Sequence, residues 1–127
     1  MKEKRAIFIE KTHHLSSKLD LNKYLVNSPA ATYFLRAATA DRMTQYGIYD
    51  NDLLLVDRSL NPENSNIVII AIDGKLSVSL FKIKGNKKIF FKDQKETSFY
   101  QLDSDSESDG YVWGVVTHVI HSLWWVN

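Results

Sequence analysis

Cysteine is missing from the chain, so neither a disulfide framework nor a thiolate metal site can brace it, and a reducing cytoplasm is the expected setting. The opening "MKEKRAIFIEKTHH" lacks the apolar run and small-residue cleavage site of a signal peptide. Nowhere do apolar residues run for the roughly 18 positions that a membrane span needs. Excess charge is lacking too: sixteen Lys and Arg against fifteen Asp and Glu leave a formal charge of +1. That balance argues against strong direct nucleic-acid or membrane binding as the main activity. Internal repeats are also absent. What remains is 127 residues with 44% hydrophobic and 24% charged side chains, enough for one domain with a real core and too few for two.

Residues 1–19 are charged and polar apart from "AIFI", and read as an N-terminal arm, flexible or docked as a short strand. Asp20 is placed to cap a short helix through "LNKYLV", with Leu21, Leu25 and Val26 on one side, which Pro29 then ends. Beyond it come short runs rich in β-branched and aromatic residues: "TYFLRA", "DLLLVD", "NIVIIAIDG", "KLSVSLFKI", "KKIFF", "SFYQL" and "YVWGVVTHVIH". Their spacing predicts a mostly β domain over residues 20–127, a sandwich or partly closed barrel. Asp73-Gly74 is a two-residue turn signal, so residues 67–83 should form a hairpin. "LLLV" and "IVIIAI" are apolar on both faces, which implies burial on both sides or an oligomer interface. Residues 75–82 alternate, and place Ser77 and Ser79 together on a polar surface or cleft. A single helical turn is expected around Met43.

The stretch "TADRMTQYGIYDNDLLLVD" at 39–57 has the layout of a nucleophile turn, yet an arginine stands in its middle. With "LDLNKYLVNSPAATYFLRA" before it and "NIVIIAIDGKLSV" and "VWGVVTHVIHSL" after it, the chain resembles the LexA/UmuD family of self-cleaving SOS serine peptidases, closest to the UmuD branch. The resemblance runs in order over about four-fifths of the chain. It implies a twisted, partly closed β-sheet assembly with one or two short helices, and a serine-lysine dyad in which a desolvated, neutral Lys takes the Ser proton. Asp41 and Met43 match the residues flanking the family's Ser, so Arg42 occupies the nucleophile position. "LSVSLF" aligns Ser79 with the general base.

An arginine offers only donors and stays protonated, and a serine is no base, so the resemblance implies a pseudo-peptidase without catalytic residues. Ala40 stands where the family has Gly, in a turn one residue longer, which should disturb the amides of an oxyanion hole. The family cuts at a small residue followed by Gly in the arm, and here no Gly precedes Gly47. An uncleavable arm of this kind would mimic the processed form, and the region before residue 28 is too short for a helix-turn-helix repressor domain. No substitute dyad is evident: Lys75 lies roughly 13 Å of strand from Ser79 at about 3.3 Å per residue, and Lys82 points to the other face. Thr39 or Thr44 with another Lys stays open as an alternative nucleophile.

Two readings of Arg42 also stay open. It is a surface replacement at a decayed site, or it fills the former cleft with Met43 and Ser77 as neighbours and bonds the Ser77 and Ser79 hydroxyls or Asp41. His118 and His121, three apart on a strand, face opposite ways and make no metal site. "DSDSESDG" at 103–110 lacks the Glu that a calcium loop needs, with Val116 in its place, and reads as a solvated acidic loop. No cofactor is expected. The adjacent Trp124 and Trp125 either seal the barrel end or serve a contact surface. By resemblance, the function is that of a dimeric accessory or regulatory subunit of error-prone translesion synthesis. Its partners would be a second copy or a UmuD-like protein, an error-prone DNA polymerase subunit and the RecA filament. The rival readings are a peptidase with a non-standard nucleophile and a competitor of active relatives by mixed dimerisation.

Overall fold

The computed structural model describes residues 20–102 and 110–124. The arm, the acidic segment 103–109 and Trp125 lie outside them. Asp20 caps α1 (Leu21–Leu25) by accepting the amide of Asn22 at 3.0 Å. The helix fully buries none of its residues: Leu21 is exposed, and Leu25 and the C-cap Val26 are half-buried. A 3₁₀ turn at Pro29–Ala31 leads into the sheet.

Seven antiparallel strands follow: β1 (Thr32–Arg36), β2 (Leu53–Asp57), β3 (Ile67–Ile72), β4 (Lys75–Lys84), β5 (Lys87–Phe91), β6 (Phe99–Leu102) and β7 (Gly110–Ile120). They form one sheet in the order β1-β2-β7-β3-β4-β5-β6. β7 is thus inserted in the interior of the sheet, between β2 and β3. The β3–β4 hairpin turns on Asp73 and Gly74, both at positive φ (52° and 75°), the geometry for which Asp-Gly is suited.

β2 and β3 are buried on both faces, as their unbroken apolar runs require. Alternate residues of β3 therefore feed two cores. Ile69 joins Met43, Ile48, Leu54 and Val56 on one side, while Val68 and Ile70 join Phe81, Phe90 and Val115 on the other.

β7 does not follow the two-residue period. Its pairing slips by one residue at Trp113 against β3 and at Thr117 against β2. These two bulges put Val112 and Val115 into one core and Trp113, Val116 and Val119 into the other, a spacing of three that a regular strand forbids. Between them Gly114 lets β7 press against β2, since a Cβ there would lie 2.5 Å from Val56 Cγ1.

Candidate active site and its cleft

After β1 the chain crosses the sheet end as the turn 37–47. Ala37 donates its amide to the Asp52 carbonyl at 2.8 Å and Asn51 donates back to the Ala37 carbonyl at 2.8 Å, which fixes the turn's entry against its exit. Ala40 holds φ 47°, a left-handed conformation natural to Gly, and donates its amide to Asp50 Oδ1 at 3.1 Å. An alanine pays about 1 kcal/mol for that geometry. Ala40 thus holds a backbone conformation that glycine adopts freely. Met43, 1% exposed, anchors the turn in the core. The helical turn expected around it is a 3₁₀ turn at Thr44–Tyr46, ended by Gly47 at φ 81°.

Arg42 sits at the head of this turn. Its amide donates to the Thr39 carbonyl at 3.0 Å. Its guanidinium folds back on the same turn, with Nε donating to the Thr39 carbonyl at 3.1 Å and Nη2 to the Ala38 carbonyl at 3.4 Å. The side chain takes neither Ser77, Ser79 nor Asp41 as a hydrogen-bond partner, so the bonding half of the filled-cleft reading is replaced by a self-capped turn. Carbonyls three and four residues back are the acceptors it reaches.

Across the cleft, β4 brings Ser77 and Ser79 to the same side. Ser77 is exposed, but Ser79 is fully buried opposite Val68, so it is part of the packed interior and not of a polar surface. Its hydroxyl has no hydrogen-bond partner among the described residues. Such an orphan costs about 1–3 kcal/mol.

Arg42, Met43, Ser77 and Ser79 line one cavity of about 300 Å³. Asp41 does not line it. Its carbonyl instead accepts Gln94 Nε2 at 3.1 Å. Gln94 holds the whole turn: its amide donates to the Arg42 carbonyl at 2.8 Å, and its Oε1 accepts the Gln45 amide at 2.6 Å and the Thr44 hydroxyl at 3.1 Å. Nothing local marks Gln94, which comes from the β5–β6 loop some fifty residues downstream. From the same side Lys92 and Tyr100 enter the cavity wall, with the Lys92 ammonium 4.0 Å from the Tyr100 ring centroid. Arg36 completes the cationic lining, its Nη1 donating to the Asn51 carbonyl at 2.7 Å. Among the described residues no acidic side chain lines the cavity. Beside the turn, Tyr46 has its phenol pKa raised by burial and then by Glu96.

The alternative hydroxyls are separated. Thr39 lines the cavity, buried, and its Oγ1 lies 3.4 Å from the Ala40 carbonyl. Thr44 is held by Gln94 and does not line it. The histidines also part company. His118 Nδ1 lies 3.0 Å from its neighbour Thr117 Oγ1, and His121 Nδ1 lies 2.6 Å from Asp52 Oδ1. Among the described residues no His, Asp and Glu cluster could hold a metal.

Residues 2–113 match the model of the Peptidase S24-like family. Protein ImpA of Salmonella typhimurium is 39% identical over 110 residues, which span 87% of this chain and 72% of that protein. Protein MucA of Escherichia coli is 37% identical over 101 residues, 80% of this chain and 67% of that protein. The LexA repressor of Shewanella piezotolerans is 31% identical over 91 residues, which cover 69% of this chain and 44% of the repressor.

Proposed function

The chain belongs to the Peptidase S24-like family of LexA/UmuD-type proteins, and from that premise we propose that it is a catalytically inactive, UmuD-like subunit of the SOS response. In this reading it dimerises with itself or with a UmuD-like protein, and modulates error-prone translesion synthesis through contacts with the polymerase subunit and the RecA filament. The observation that carries the loss of catalysis is the state of Arg42. The residue at the nucleophile position offers no lone pair, its guanidinium is bonded to Thr39 and Ala38, and its amide is already bonded within the turn. Ser79, at the position of the base, cannot accept a proton from a neighbour at neutral pH. The exposed Leu123 and Trp124 are consistent with a contact surface at the sheet end.

The test is incubation of the purified protein with RecA, nucleotide and single-stranded DNA, followed by intact-mass measurement. An unchanged mass is expected. A discrete fragment that disappears in Thr39→Ala would establish the rival peptidase, because Thr39 shares the cavity with Lys92. Slower cleavage of an active relative on mixing would point to regulation by mixed dimerisation.

A further inference from the structure

The near-neutral total conceals a segregated surface away from the cleft. Between Lys75 and Lys92 stand Lys82, Lys84, Lys87 and Lys88 and no Asp or Glu, although the whole chain balances at +1. β4 and β5 fold this run into a hairpin whose register sets Lys84 directly opposite Lys87. Like charges facing each other across a strand pair destabilise it, so the hairpin carries a cost that packing does not explain. The acids that follow are engaged in their own loop: Asp93 Oδ1 accepts the Lys95 amide at 3.0 Å, and Glu96 faces the Tyr46 phenol. Among the described residues the one ion pair joins Asp52 and His121, so no carboxylate there neutralises the hairpin lysines.

Strand alternation gives this charge an aromatic neighbour. Lys82 and Lys84 of β4 share a face with Lys87, Ile89 and Phe91 of β5, and pairing of Ile89 with Gln101 and of Phe91 with Phe99 carries that face onto β6. The Lys84 ammonium lies 5.6 Å from the Phe91 ring centroid, and Phe99 meets the same ring edge-on at 5.9 Å. Phe91 is buried beneath these two. Phe99, on the last strand of the sheet, keeps 48% of its surface exposed. Successive residues on the face are spaced about 7 Å along each strand.

We infer that this face of β4, β5 and β6 binds single-stranded nucleic acid, with phosphates along Lys82, Lys84 and Lys87 and a base stacked on Phe99. Lysines at strand spacing follow a phosphate backbone, and an exposed ring accepts any base by its flat face. A duplex keeps its bases stacked and offers the ring nothing. A phosphate seated between Lys84 and Lys87 also turns their repulsion into attraction. An acidic protein segment would satisfy the lysines but gives the ring no stacking partner. The contact is local and salt-sensitive, in keeping with a chain whose total charge argues against nucleic-acid binding as its main activity. It depends neither on the proposed inactivity nor on the proposed SOS role.

Fluorescence anisotropy with a labelled oligothymidylate, over a series of salt concentrations, tests it on the full chain. Saturable binding is expected, with a log–log salt slope of about −2 for three neutralised phosphates. Lys84→Gln combined with Lys87→Gln should weaken binding at least tenfold at low salt and reduce the slope by about 1.4, while the thermal melt holds or rises because the opposed charges are gone. Phe99→Leu, which keeps an apolar contact with Phe91, should weaken binding about fivefold at an unchanged slope. An abasic oligomer of equal length should bind the parent chain and Phe99→Leu alike. Indifference to the lysine substitutions, equal affinity for a duplex of the same length, or displacement by polyglutamate as effective as by unlabelled oligothymidylate would overturn the proposal. The incubation with RecA separates the two claims: a cleaved chain that binds the oligomer would overturn the inactive reading alone, and an intact chain that does not bind it this surface alone.

Discussion

The turn around Arg42 and the strand around Ser79 border one cleft, yet their polar side chains are satisfied in opposite ways. On the turn, the arginine bonds Thr39 and Ala38, Ala40 holds a left-handed backbone, and Gln94 clamps the loop from outside. On the strand, Ser79 leaves a buried hydroxyl without a partner. An exposed side chain on a turn has carbonyls of that turn within reach. A fully buried side chain on a strand paired to β3 has no such freedom to reach one.

The comparison can be broken at several points. Ser79→Lys should have the largest effect, destabilising by about 3 kcal/mol as an ammonium is buried beside cations without a counter-charge. Adding Arg42→Ser should recover part of that loss, and urea denaturation of the two single variants and the double variant measures the coupling. Gln94→Ala should cost about 1.5 kcal/mol, since three side-chain bonds to the turn vanish together, with faster amide exchange at Gln45 as a local check. Ser79→Ala should stabilise by about 1 kcal/mol in the same denaturation experiment, because it removes a desolvated hydroxyl that nothing satisfies. Smallest is Ala40→Gly, expected to stabilise by about 0.5 kcal/mol in thermal melts once the left-handed strain is set against glycine's extra chain entropy.

The strands were legible because turn residues bracket apolar runs of the right length, and Asp73-Gly74 marked its hairpin correctly. The burial of β3 on both faces could also be read from "IVIIAI". The face assignment in β7 could not, because Trp113 and Thr117 are ordinary strand residues and only pairing to β3 and β2 makes them bulges. Of the cleft, Arg42, Met43, Ser77 and Ser79 were named from the sequence and line one cavity, whereas Asp41 does not. The cleft's third wall, with Lys92, Gln94 and Tyr100, was not legible, since it depends on β5 and β6 folding back over a turn distant in sequence. The short range of the Arg42 bonds also escaped the reading: alignment locates a residue but does not say which of several acceptors its side chain reaches first.

The bulged strand β7 has a consequence for how this domain can change its length. Substitutions along it alter one contact at a time, and deleting Trp113 or Thr117, the unpaired residue of each bulge, would leave the other residues opposite their present partners, whereas deleting any paired residue would shift the register and exchange the faces of every residue on one side of the cut. This interior strand should therefore tolerate many spellings but very few changes of count.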